Sequence, residues 1–348
     1  MKKFVFSLLT AILVVCNTHA QTSLVATLNH EGNITAYYGI DALSQAHSAA
    51  VNGDIITLSS GTFNACDITK AVTIRGAGME YNYGMMPTVL VNNFKINVPT
   101  DSVNVLSIEG ILHNNVISVN KASNPIFFKC RFGALNSYYN VNNKNTMQNA
   151  SFIHCKVRSY IFLSEGCTAS FDNCFVHSPL KNGDTNSMYY FKNCVLQFTD
   201  GKIRYGNLYG EETYSTISNI GTQSILYNCV IHSPGNTAKA YSTCYYNVAN
   251  VDCFSTNSNT TNKVESDFTK LFKTWTGGDY TDVEKYDLTE TAAITYLGDD
   301  GKQVGLYGGS LPYDPAPSHP KVTKFDVASK TTADGKLSVD IEVKAADY

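Results

Sequence analysis

The chain keeps returning to one short pattern of apolar and polar positions: apolar, any, Asn-like, Cys, any, apolar. It reads Phe127-Phe128-Lys129-Cys130-Arg131-Phe132, then Phe152-Ile153-His154-Cys155-Lys156-Val157. It returns as Phe171-Asp172-Asn173-Cys174-Phe175-Val176, as Phe191-Lys192-Asn193-Cys194-Val195-Leu196 and as Leu226-Tyr227-Asn228-Cys229-Val230-Ile231. The five cysteines are 25, 19, 20 and 35 residues apart. A period near 20 residues is too short for a domain and falls among solenoid repeats. The side chains are those of strands, Phe, Val, Ile, Tyr and Thr.

Parity gives the local shape. Cys and the apolar residue two later share a strand face, but the apolar residue three earlier should face the other way. Both can face a core only if one residue between them bends the chain. The residue before Cys suits that role, because Asn tolerates the left-handed conformation. Each copy is therefore expected to be strand, one-residue bend, strand. Stacked at the strand spacing of about 4.8 Å, the copies would line up in ladders of Phe, Asn and Cys.

Further strands are expected around this run. Ser23–Leu28 is a candidate first strand, and Ile40 to Ala50 has helical spacing with Ala42, Leu43, Ala46, Ala49 and Ala50 on one side. Such a helix would cover the open end of the first coil. Gly53 to Phe63 and Ile68 to Gly78 follow as strands with glycine turns, and Val103–Val119 supplies more. The inward Cys, the bend Asn and these two opening stretches resemble secreted bacterial proteins of the right-handed parallel β-helix, or pectin-lyase-like, family. The resemblance covers roughly residues 40–310 and implies an all-β solenoid with an N-terminal capping helix. It implies no particular activity.

The ends read differently. Residues 1–20 carry Lys2 and Lys3, an apolar run from Phe4 to Val15, and Thr18-His19-Ala20 as a cleavage site, the features of a secretion signal. The run is too short for a membrane span; a lipid anchor on Cys16 is the alternative. Residues 21–311 are then the β-helix with its caps, with 266–311 finishing the solenoid and closing its far end. The stretch between Cys194 and Cys229 is polar, Gly-rich and aromatic, which favours an excursion over an extra coil. Tyr245-Tyr246-Asn247-Val248 reads as a last copy with Val in place of Cys. Residues 312–320, with four prolines, are expected to be a stiff linker. Residues 321–348 hold two short strands around Asp334-Gly335.

Charge and cysteines narrow the chemistry. The formal net charge is −3, and removal of the signal takes it to about −5, which argues against nucleic-acid binding. Nine cysteines then remain. In a ladder their Cβ atoms run parallel, slightly too far apart for unstrained bridges, so they are expected to be buried free thiols. No CxxC pair occurs, and neither a metal nor a cofactor is expected.

The outward slots hold the candidate chemistry. Aligning the copies puts Lys129, Arg131, His154, Lys156 and Arg158 on one outer region, with His177 next above. Such a basic patch would recognise an anionic polysaccharide, unless it is an ordinary solvated face. A second candidate is Arg204, Tyr205 and Tyr209 in the excursion, since aromatic rings suit sugars. Paired Asp residues of the polygalacturonase kind are missing from the copies, which offer only Asp172. The sequence thus points first to a secreted or surface protein that binds carbohydrate along its solenoid. A polysaccharide lyase using a cation as base is the alternative, and a structural or adhesive protein is another. The sequence does not specify the oligomeric state.

Overall fold

The computed structural model describes residues 24–344 except 82–85, 102, 138–146, 165, 182–186, 199–201, 205–211, 215–219, 221–222, 234–242, 255–260, 278–283, 319–320, 328–330, 332–333 and 337–338. The expected signal segment lies outside the described residues. The architecture is mostly β, with two long and largely parallel sheets, consistent with an all-β solenoid. From Ile55 onward the chain alternates between them. The first sheet takes Ile55–Leu58, Thr73–Arg75, Ser107–Glu109, Ile126–Phe128, Ala150–Ile153, Thr168–Asp172, Met188–Lys192, Ile225–Tyr227 and Thr243–Tyr245 in that order. The second takes Gly61–Asn64, Thr88–Val91, Ile111–Ser123, Arg131–Ser137, Lys156–Leu163, Phe175–His177, Val195–Gln197, Val230–His232, Val248–Ala249 and Lys263–Val264.

The register explains why the sequence repeats. Ile56, Ile74, Ile108, Phe127, Phe152, Phe171, Phe191, Leu226 and Cys244 are paired in succession and form one buried ladder. Its central rings stack at centroid distances of 4.6, 4.5 and 5.1 Å. One residue in each copy makes the bend: Lys129, His154, Asn173, Asn193, Asn228 and Tyr246 all have φ between 49° and 56°. That left-handed backbone turns both flanking apolar residues inward, as the parity requires. The cysteine thiols are free and fully buried in the five copies. Each donates to backbone, as when Cys174 Sγ meets Phe152 O at 3.4 Å and Asp172 O at 3.2 Å.

The last copy is shifted by one residue from the expected reading. Tyr246 makes the bend and Asn247, not Val248, takes the cysteine slot. Its buried side chain accepts from Cys229 N at 2.8 Å and donates to Leu226 O at 3.0 Å. Between Gln197 and Ile225 no further coil is inserted, since Tyr190 pairs directly with Ile225 and Val195 with Val230. The excursion instead contains Lys202–Arg204 paired antiparallel with Glu212–Tyr214.

At the start, Val25–His30 and Asn33–Tyr38 form an antiparallel hairpin at the edge of the first sheet. The helix Ala42–Ala49 buries Ala42, Leu43, Ala46 and His47. Lys70 Nζ donates to the carbonyls of His47, Ser48 and Ala50 at 2.7–2.8 Å, which satisfies the exposed end of the helix.

Residues 266–318 depart most from expectation. They do not simply finish the solenoid. Their described parts turn back along its outside and cover the outward slot of the later copies. Phe175, Val195, Val230 and Val248 of that slot pack with Phe268, Leu271, Phe272, Tyr286, Leu288, Val304, Leu306 and Tyr313 in a second hydrophobic core. The expected linker is part of this return: Tyr313 and Pro317 are buried, and Lys129 Nζ donates to Ala316 O at 2.7 Å. Lys321–Val327 and Val339–Lys344 form their own antiparallel pair.

Candidate functional site

The bend column is what holds the returning segment. Its residues point to the outside of the corner, where the segment passes from late copies to early ones. Asn228 accepts from Asp299 N at 3.0 Å and donates to Asp299 Oδ1 at 2.6 Å. Asn173 Nδ2 donates to Leu306 O at 2.7 Å and Gly308 O at 2.9 Å. His154 places Nε2 3.1 Å from Leu311 O and Nδ1 3.4 Å from Asp314 N, so the neutral ring donates through Nε2 and accepts through Nδ1. Burial lowers its pKa, and the nearby Lys129 charge adds to this.

This contact overturns the expected basic patch as an open surface. Lys129 is 4% exposed and pairs with Asp314 at 3.0 Å. Lys156 is 8% exposed, pairs with Glu80 at 2.5 Å and lies 5.3 Å from the centre of the Tyr313 ring. Arg131 is buried too, and pairs in register with Lys156 in the same slot. Arg158 is half-buried, with Nη1 3.4 Å from Asn114 Oδ1. His177 is half-buried, with Nδ1 2.6 Å from Ser159 O. The side chain of Arg204 is not described, and Tyr205 and Tyr209 lie outside the described residues. Of the expected residues that are described, Lys129, Arg131 and Lys156 are covered and Arg158 and His177 are half-buried, so these five do not form one open site.

The structure gathers others. On the outer face of the first sheet, the slot two before each cysteine pairs Ile153, Asp172, Lys192, Tyr227 and Tyr245 in sequence. Tyr190 stands two residues before Lys192 on the same face. Tyr190 and Tyr227 have ring centres 6.4 Å apart, and Tyr227 and Tyr245 stack at 5.1 Å. All three rings are half-buried.

Beside this column lies a cleft of about 320 Å³ between the bend column and the returning segment. Asp172, Lys192, Asn193 and His154 line it from the sheet side, and Asp300 and Ser310 from the returning segment. Burial pushes the Asp172 carboxyl up to about 6, with Lys192 working against the shift. Tyr190 is also shifted upward, by burial first and then by Asp172. The cleft is lined mostly by polar side chains, with Ile153 and Leu311 as its apolar ones.

Aligning the slot two before each cysteine would have exposed Asp172, Lys192 and Tyr227 from sequence alone. Asp300 was out of reach, because only the returning segment brings it to the copies. Among the described residues no cluster of His, Cys, Asp and Glu could hold a metal, and no helix is long and apolar enough to cross a membrane. Comparison of the chain with family models, curated proteins and solved structures gives no match.

Proposed function

We propose that this chain is a right-handed parallel β-helix protein, secreted or displayed at a cell surface, that binds a carbohydrate chain. The ligand would lie on the outer face of the first sheet, across the cleft and along the tyrosine column. One observation carries the reading: Asp172, Lys192, Asn193, Asp300 and Ser310 converge in one cleft next to Tyr190, Tyr227 and Tyr245. Carboxylates, an ammonium, an amide and hydroxyls match the many donors and acceptors of a sugar. Half-buried rings supply the apolar contact that its C–H edges need. Repetition at the strand spacing suits a linear polymer.

A neutral glycan fits this face better than an anionic one. Lys129, Arg131 and Lys156, which would have read a uronate polymer, are covered. Arg158 and His177 of the same patch are half-buried rather than covered, and a β-elimination base could come from them.

The test is binding of the purified protein to a panel of neutral and acidic polysaccharides, repeated with Tyr227→Ala and Lys192→Ala. Saturable binding that each substitution weakens about tenfold supports the site. Loss of the panel as a whole would leave a structural or adhesive role, and binding indifferent to both substitutions would move the site elsewhere.

A further inference from the structure

The N-terminal end of the first sheet carries an edge strand of a particular kind. Asn33–Tyr38 is the outermost strand and pairs on one side with Val25–His30. Glu31 and Gly32 make the turn between them, both at positive φ, the hairpin turn that keeps two strands in regular alternation. Gly39 N donates to Leu24 O at 2.9 Å, back toward the first strand. Alternation then aims the N–H and C=O groups of Asn33, Thr35 and Tyr37 at that strand, and those of Ile34, Ala36 and Tyr38 away from the sheet. Among the described residues, no backbone bond ends on these outward groups.

Such an edge is usually blunted by a charge, a proline or a bulge. Asn33–Tyr38 has none of the three. Its outer face instead carries Ile34, 71% exposed, and Tyr38, 65% exposed, with Ala36 between them. The helix Ala42–Ala49, which packs against this strand, leaves Gln45, Ser48 and Ala49 exposed, and Ile40 and Val51 on either side of the helix are exposed as well. From Asn33 to Gly53 the sole formal charge is Asp41.

The edge is also self-complementary. Only outward residues can exchange bonds with an added antiparallel strand. For two identical strands, the register that engages all three outward residues of both places Ala36 opposite Ala36 on a two-fold axis, and Ile34 opposite Tyr38 on each side of it. About six backbone bonds then form, and each exposed Ile34 is covered by an exposed Tyr38, an aliphatic–aromatic pair of the kind that stabilises sheets. Any strand could use the backbone edge, but a second copy brings both side chains to their places at once. We infer that two copies of this chain associate end to end through Ile34–Tyr38 and join their first sheets into one. Glu31 of one copy then lies near Asp41 of the other, a cost between two exposed acids that salt screens.

The experiment is sedimentation velocity of the full chain over about 1–100 μM for wild type, Ile34→Lys, Ala36→Pro and Ile294→Lys, each checked for folding by circular dichroism. Proline in place of Ala36 removes an N–H that points away from the sheet, so the hairpin keeps its own bonds. Ile294, 77% exposed on the helix Glu290–Thr295, controls for an added charge. Expected are a monomer–dimer equilibrium in wild type, at least about a tenfold weakening in both edge variants, and a change within about twofold in the control. The register is read by oxidising Ala36→Cys and Ile34→Cys. The paired Ala36 Cα atoms would lie about 5.5 Å apart, within disulfide reach, and the two Ile34 Cα atoms about 15 Å apart. Only Ala36→Cys should give a covalent dimer above the wild-type background. A monomer at every concentration, a dimer indifferent to both edge variants, a control weakened as much as they are, or cross-linking through Ile34→Cys overturns the inference.

Discussion

Asp172 sits in a position that works against stability. Its folded pKa, about 6, lies above the ordinary 3.8, and the first cause is burial. The shift therefore penalises the folded state above about pH 6, where the folded carboxyl must ionise. The penalty fades as pH falls through 6 and is gone below the unfolded value. Asp172→Asn removes it, and should stabilise the protein near pH 7 by up to about 2 kcal/mol, with the gain vanishing near pH 4. Urea melts of both proteins at the two pH values check this. At Asn173, two substitutions separate backbone strain from contact. Asn173→Gly keeps the left-handed turn but loses both bonds to the returning segment, for about 2 kcal/mol. Asn173→Ala should cost about 1 kcal/mol more, the price of a Cβ at positive φ; equal midpoints for the two would show that the turn is not strained.

At the scale of elements, the ladder and the returning segment behave differently toward the sequence. The ladder was legible because its inward slots are apolar at a fixed step and because one αL residue per copy reconciles the two strands. The returning segment was not, since its contacts join residues far apart: Lys129 meets Asp314 across 185 positions, and Asn173 meets Leu306 across 133. The cue that existed was the outward slot itself. Phe175, Val195 and Val230 are apolar there, and three stacked apolar side chains need a cover. Beneath that cover, Lys129 and Lys156 stop being surface cations.

His154 gives the element-scale test. Its folded pKa is held below the ordinary 6.5 by burial. Stability from this residue is therefore present above about pH 6.5 and is lost as pH falls through that value, when the unfolded chain takes up a proton that the folded one resists. His154→Asn, the residue used by the later copies, should flatten the difference in unfolding free energy between about pH 7 and 5 relative to wild type. A variant with the same pH slope would place the titration on another group.

For the whole molecule, the two cores divide the labour. The inner ladder joins the strands, and the outer core fastens the returning segment to one side of it through Phe268, Phe272, Tyr286, Leu306 and Tyr313. The fastening buries the cationic slots and brings Asp300 beside Asp172 and Lys192. Lys129, Arg131 and Lys156 are thereby covered, while Arg158 and His177 on the second sheet and Tyr190, Tyr227 and Tyr245 on the first are half-buried. That covering has a direct consequence for mutants. Tyr227→Ala removes a half-buried ring from the proposed face, while Lys156→Ala removes a covered cation from its ion pair with Glu80.

The measurement that tests this most directly is the affinity of one bound polysaccharide for wild type, Tyr227→Ala and Lys156→Ala, each confirmed to be folded at the assay temperature. The structure predicts about a tenfold loss for Tyr227→Ala and an affinity close to wild type for Lys156→Ala. The reverse order, with binding lost on removal of Lys156 and kept without the ring, would contradict it and put the ligand on the second sheet.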